Sequence, residues 1–117
     1  MIVLPYPPST NSLWRAVGRR VYKSKKARLY DETAKIALIQ QGVRDPTPNY
    51  VEITMRMFPP DRRRRDLDNC FKAVMDVMEG KVYGNDFQVV KIVATKHKPV
   101  PGGRVEIEVT ETDGVFP

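Results

Sequence analysis

The sequence is poor in the residues that several common classes of protein depend on. Its 117 residues include one cysteine, one histidine and one tryptophan. The lone Cys70 cannot form an internal disulfide and belongs to no spaced set of metal ligands, which suits a reducing cytoplasm. No apolar run approaches the ~20 residues of a membrane span, and the N-terminus lacks a basic-then-apolar signal pattern. We therefore expect a soluble cytoplasmic protein with no membrane partner.

Basic residues, by contrast, are in excess. The chain has 20 Lys and Arg against 14 Asp and Glu, for a formal net charge of +6. Such an excess gains affinity for polyanions by releasing counterions from phosphates, so nucleic acid is the expected partner. The length suits a single domain, residues 1–117, with one core.

Hydrophobic periodicity predicts a small α+β domain. Val51, Ile53 and Met55 alternate with polar residues as in a half-buried strand, and two stretches have apolar stripes at helical spacing. Predicted strands cover residues 1–4, 19–24, 50–58, 88–98 and 104–110, and predicted helices cover residues 25–41 and 67–79. A turn at residues 99–103 predicts a hairpin of the last two strands. The expected fold is a mixed or antiparallel sheet of about four strands with two main helices.

The most informative segment is RRRRDLDNCFK at positions 62–72. Arginines attract phosphate and carboxylates repel it, so Asp66 and Asp68 require an explanation. Residues two apart in extended backbone project to the same side, so both carboxylates can converge if the helix begins at about Leu67 or Asp68. A divalent ion such as Mg²⁺ would cancel their repulsion, polarise a phosphate held by the arginines and lower the pKa of a bound water.

A third carboxylate would complete such a site, and Asp86 is the best candidate. Asp76 is excluded because it lies two helical turns from Asp68, ~12 Å away. Asp86 precedes a predicted strand, and it can meet the pair only if sheet pairing returns it to the start of the second helix. Lys72 lies one turn after Asp68, where an ammonium group can stabilise charge on the phosphate.

The same residues also have structural explanations. An aspartate at a helix N-terminus is commonly a cap or a partner of the macrodipole, and Asp68 with Lys72 is commonly a surface ion pair. On that interpretation the chain is a non-catalytic nucleic-acid binder. Similarly, Trp14, Tyr22 and Phe58 either stack on opened bases or belong to the core or a dimer interface.

At this point the chain resembles the RusA family of Holliday junction resolvases over most of its length. The similar segments are PPSTN at residues 7–11, DRRRRDLDN at residues 61–69 with Lys72, DFQVV at residues 86–90, and GGR at residues 102–104. One departure is Asn85, where the family often has a first acid before the Gln-Val step.

The resemblance implies an Mg²⁺-dependent homodimer of bacterial or prophage origin, with Mn²⁺ expected to substitute. It would cut four-way junction DNA by paired symmetric nicks in recombination and repair, and a two-fold dimer suits the approximate symmetry of a junction. The implied metal ligands are Asp66, Asp68 and Asp86, which together with Lys72 are the implied catalytic residues. The expected nucleic-acid contacts are Arg62, Arg63, Arg64, Arg65, Asn11, Arg15, Arg19, Arg20 and Lys23. A metal nuclease acting on another branched DNA or on RNA stays open as an alternative.

Overall fold

A computed structural model describes residues 1–8, 14–17 and 20–113, without the side chains of residues 14–17, 20–23 and 69. Its strands are β1 (Ile2–Leu4), β2 (Trp14–Val17), β3 (Arg20–Lys23), β4 (Tyr50–Phe58), β5 (Val89–Lys96) and β6 (Arg104–Thr112). Its helices are α1 (Lys25–Gln40) and α2 (Leu67–Met78), and a short 3-10 helix (Asp86–Gln88) precedes β5. Neither described helix has the length and apolar character needed to cross a membrane.

Four strands form one mixed sheet in the order β1-β6-β4-β5. Strand β4 pairs antiparallel with β6 along its whole length, from Tyr50↔Thr112 to Phe58↔Arg104. On its other side β4 pairs parallel with β5, so β4, α2 and β5 form a parallel crossover unit. Strands β2 and β3 form a separate two-stranded sheet. The predicted α+β architecture, with a mixed four-stranded sheet and two main helices, is confirmed.

The predicted hairpin of the last two strands is wrong. Strands β5 and β6 lie on opposite sides of β4, and the segment between them crosses the end of β4. There the His97 amide donates to the Met57 carbonyl (2.8 Å) and the Val100 amide donates to the Pro59 carbonyl (2.9 Å). Gly103 makes this crossing close, because a Cβ at this residue would stand 2.9 Å from the Tyr6 Cβ and its φ is +69°.

One core joins the sheet to both helices. The inward side chains of β4, which has a paired strand on each side, are all buried. Both helices cover this inward face, and the Ser24 hydroxyl caps α1 by accepting from the Ala27 amide (3.1 Å). The buried residues of this core include Val51, Ile53, Met55 and Met57 from β4, Ala34 and Leu38 from α1, and Val74, Val77 and Met78 from α2.

Candidate active site

Asp66 and Asp68 lie where the sequence placed them, at the start of α2. The helix begins at Leu67, which meets the condition for convergence of the two carboxylates. Asp66 is the N-cap residue with extended backbone (φ −85°, ψ 135°), yet its side chain makes no capping hydrogen bond. Both aspartates are exposed to solvent. The pair therefore presents two carboxylates, one of them at a cap position without the hydrogen bond that a cap would make.

Lys72 follows one turn later on the exposed side of α2. Among the described side chains no ion pair joins Lys72 to Asp68. The structure thus does not show the surface ion pair that the spacing allows.

Residues 59–66, here called the arginine loop, connect β4 to α2 and are organised by Asp61. The Asp61 carboxylate accepts from the Arg65 guanidinium (2.7 Å) and from the Arg63 amide (2.9 Å). These bonds, led by that of Arg65, lower the pKa of Asp61 to about 2. The Arg65 guanidinium also lies 5.7 Å from the centre of the Tyr6 ring. Sequence reasoning gave Asp61 no role, although an acid four residues before an arginine is a recognisable pair.

The four arginines of the loop are not equivalent. The Arg65 side chain is 19% exposed because it braces the loop, whereas Arg62, Arg63 and Arg64 are exposed and available for phosphates. Lys96 adds a further cation here, since its ammonium group donates to the Arg65 carbonyl (3.1 Å). Only sheet pairing brings Lys96 to this loop, so no local sequence pattern could have indicated it.

Asp86 lies at the other end of α2. Its amide donates to the carboxylate of Glu79, the residue that ends the helix (3.1 Å). Because β4 and β5 are parallel, the residues before β5 lie at one end of the strands and the residues after β4 lie at the other end. The 12 residues of α2 span about 18 Å. The pairing thus does not return Asp86 to Asp66 within one protomer, contrary to the predicted convergence.

Consistently, the described residues contain no group of three acidic, histidine or cysteine side chains that could hold a metal ion. The assignment of Asp66, Asp68 and Asp86 as shared ligands therefore stays a prediction. Around Asp86 negative charge is concentrated, and its hydrogen bond and charge raise the pKa of Glu79.

The turn that presents Asp86 is built by Asn85 and Gln88. The Asn85 side chain accepts from the Phe87 amide (3.3 Å), and the Gln88 side chain accepts from the Asn85 amide (2.8 Å). Gln88 is 5% exposed and also donates to the carbonyls of Thr47 (2.8 Å) and Asn49 (2.7 Å). Asn85 is therefore the cap of this turn, a role for which an amide suffices.

Comparison with known proteins identifies the family. The protein-family model for endodeoxyribonuclease RusA matches residues 5–110 of the chain. The chain is 34% identical over 116 residues to the crossover junction endodeoxyribonuclease rusA of Enterobacteria phage HK97, covering 97% of this chain and 95% of the relative. It is 37% identical to RusA of Escherichia coli K12 and 36% identical to rusA of Enterobacteria phage 82, in each case over 115 residues, 94% of this chain and 92% of the relative. The chain belongs to the RusA family.

These RusA relatives come from phages and enterobacteria, which agrees with the predicted bacterial or prophage origin. The remaining sequence predictions on this RusA chain concern its hairpin and aromatic residues. Asn11 and Arg19 lie outside the described residues. Arg15, Arg20 and Lys23 lie on the β2–β3 hairpin, where Arg15 pairs with Tyr22, but their side chains are not described.

Of the three proposed base-stacking aromatics, Phe58 is the one whose side chain is described. Its ring stacks on the His97 imidazole (centroids 4.8 Å apart, planes at 22°). The Arg104 guanidinium lies 4.3 Å from the same ring centre. Phe58 is therefore already engaged at the end of β4, which favours the structural role over stacking on DNA.

Proposed function

We propose that this chain is a crossover junction endodeoxyribonuclease, which cuts four-way DNA junctions in recombination and repair by hydrolysing one phosphodiester per subunit. The observation that carries the proposal is the exposed pair Asp66 and Asp68 beside the arginine loop, with Asp66 making no capping bond. Relatives matching nearly the whole chain bear the name of this activity. A surface built solely to bind phosphate would gain nothing from two carboxylates at its edge.

The proposal includes Mg²⁺, and the donors present fit it in part. Mg²⁺ takes oxygen ligands and commonly one or two carboxylates with waters and substrate phosphate oxygens, as Asp66 and Asp68 would provide. When bound, such an ion polarises the phosphate and lowers the pKa of water, and Mn²⁺ accepts the same kind of donors. The exposed arginines of the loop would hold the DNA backbone. Lys72 would stabilise negative charge that develops on the phosphate.

The third carboxylate requires a second copy of the chain. Within one protomer about the length of α2 separates Asp86 from the aspartate pair, so Asp86 can join that pair only across a subunit interface. We therefore assign the homodimer a chemical role: each site takes Asp66 and Asp68 from one protomer and Asp86 of the partner subunit.

Strand β5 offers the surface for this pairing. It is an edge strand with β4 as its one neighbour in the described sheet, and an unpaired strand edge readily pairs with another chain. Ile92 and Val93 in the middle of the strand are each 41% exposed. Exposed apolar side chains on an edge strand suit burial against an identical strand.

The direction of such a pairing agrees with the composite site. Two β5 strands related by a two-fold axis perpendicular to them run antiparallel, so the start of one lies beside the end of the other. Asp86 precedes the start of β5. Lys96 ends β5 and contacts the Arg65 carbonyl next to Asp66. The proposed pairing would therefore bring Asp86 of the partner subunit toward Asp66.

A nuclease assay tests the proposed activity. The purified chain is incubated with a synthetic four-way junction, a linear duplex, a flap and a hairpin RNA, each with and without Mg²⁺. We expect paired symmetric nicks in the junction alone, dependent on the metal. Asp68→Asn should bind the junction normally. It should cut the junction at about one hundredth of the wild-type rate or lower, because a ligand of the activating ion is lost.

Glu32→Gln is the matched control, because it removes one exposed carboxylate from α1 and should cut like the wild type. Equal cutting of linear duplex would contradict the junction assignment. Wild-type binding without any cutting would instead support a non-catalytic binder.

A further inference from the structure

A cleft of about 630 Å³ lies between the N-terminal segment, the start of α1 and the arginine loop. Its volume falls in the range of small-ligand sites. Among the described residues no acidic side chain lines it. The apolar lining includes Pro5, Tyr6, Pro7, Leu29 and Tyr30, and the cationic rim consists of Lys26, Arg63 and Arg64.

Hydrogen bonds hold the walls of this cleft in place. The Tyr30 hydroxyl donates to the Pro5 carbonyl (2.8 Å), which fixes the N-terminal segment on α1. The Tyr6 hydroxyl and the Cys70 thiol share a hydrogen bond (3.2 Å), which fixes the same segment on α2. Leu29 nevertheless remains 60% exposed on the wall. The cleft is preformed, and it leaves apolar surface uncovered.

We propose that this cleft binds one unstacked nucleotide of the substrate DNA. The base lies against Tyr6 and the proline rings, and its phosphate contacts Lys26, Arg63 and Arg64. An aromatic and apolar wall combined with a cationic rim provides the features by which proteins hold single-stranded nucleic acid. An acidic peptide would satisfy the rim but would leave the flat walls without a matching group.

The position of the cleft relates this subsite to the proposed function, on which it rests. Arg65 both lines the cleft and immediately precedes Asp66. A nucleotide displaced at the crossover would therefore be held next to the phosphate to be cut. Unstacking a base costs less at a point of strand exchange than within a linear duplex, so the cleft would contribute to substrate selection.

Leu29→Glu tests the subsite, with Ile39→Glu as its control. Both residues are exposed on α1, at 60% and 63%, but only Leu29 lines the cleft, so the two variants add the same charge at different places. The probe is a four-way junction in EDTA with 2-aminopurine placed in turn at each nucleotide that flanks the crossover. We expect that binding of the wild type or of Ile39→Glu changes the 2-aminopurine fluorescence at one of these positions. Leu29→Glu should abolish that change and bind the junction about tenfold more weakly.

The outcomes separate the subsite from the proposed activity. If Leu29→Glu and Ile39→Glu give the same fluorescence and affinity, or if no position responds to the wild type, the subsite is disproved, even if the wild type cuts junctions. If the position-specific change is lost in Leu29→Glu alone, the subsite stands, even if no Mg²⁺-dependent cutting is found.

Discussion

Gln88 shows how a single buried side chain can fix the position of a candidate functional residue. Its amide joins the turn before β5 to the segment before β4 through three hydrogen bonds to backbone groups. Gly84 permits the close approach of the Gln88 side chain, because a Cβ at residue 84 would stand 3.1 Å from Oε1 of Gln88. The orientation of Asp86 in this turn therefore depends on a residue that performs no chemistry.

We expect Gln88→Ala to destabilise the fold by about 1–3 kcal/mol, because it leaves three backbone groups without their partner in a partly buried setting. Chemical denaturation measures the change. Gln40→Ala, at an exposed glutamine of α1, is the control and should lie within about 0.5 kcal/mol of the wild type. Equal stability of the two variants would show that water replaces the Gln88 contacts.

Asp61 has the corresponding role in the arginine loop, and its titration can be measured. Its folded-state pKa of about 2 lies below the value of about 3.9 for an unfolded aspartate. Ionised Asp61 therefore stabilises the fold above the unfolded value, and this contribution is lost as the pH falls toward about 2.

The difference in unfolding free energy between wild type and Asp61→Asn should consequently be constant from about pH 5 to about pH 8. It should shrink as the pH falls below about 4. Urea unfolding at a series of pH values measures it, with Asp45→Asn in an exposed connector as the control. A difference that varies between pH 5 and pH 8 would mean that another group titrates with the arginine loop.

Among the elements of the fold, the edge strand β5 has the clearest consequence for assembly. Val93→Lys should weaken the proposed homodimer by at least about tenfold, because the proposed two-fold pairing of β5 would place like charges close together across the interface. Val93→Thr keeps an uncharged β-branched side chain there and should dimerise like the wild type. Sedimentation equilibrium measures both. An unchanged dimer in Val93→Lys would place the interface elsewhere.

The elements also show which aspects of the fold were predictable from sequence. Both helices and the alternation of β4 follow from local periodicity, and the start of α2 follows from the change from charged to apolar residues. The order of strands does not, because β5 and β6 are neighbours in the chain and β4 separates them only through tertiary packing. Cross-strand charge was the available signal: Arg56 of β4 pairs with Glu106 (3.4 Å) and Glu108 (3.2 Å) of β6.

For the site, the same distinction holds. The aspartate pair, Lys72 and the basic loop are contiguous in sequence and could be predicted together. The location of Asp86 depends on parallel pairing across the sheet, which no spacing encodes. For this reason the sequence grouped the candidate residues near the start of α2 but did not show that Asp86 lies at the other end of that helix.

At the scale of the whole molecule, the proposed site shared between two subunits predicts complementation between two inactive variants. Asp66→Asn and Asp86→Asn should each abolish cutting as homodimers. Mixed and allowed to exchange subunits, they form heterodimers in which one site has both aspartates intact and the other has neither. We expect the mixture to nick one strand of each junction, at up to about half the wild-type rate per heterodimer.

Denaturing gels that separate single nicks from paired nicks measure this outcome. A mixture of Asp66→Asn with Asp68→Asn is the control, since both changes fall in the same half of the site and no intact site can form. Failure of the first mixture to regain activity would show that each protomer holds its own complete set of ligands.

The separation of Asp86 from Asp66 by the length of α2 also bears on how unwanted cutting of chromosomal DNA is avoided. In the proposed arrangement a newly synthesised chain contributes part of each of two active sites, so the monomer cannot cut chromosomal DNA until it dimerises. At low abundance the concentration of active dimer then rises with the square of the chain concentration. A modest fall in expression would therefore reduce the nuclease activity more than proportionately.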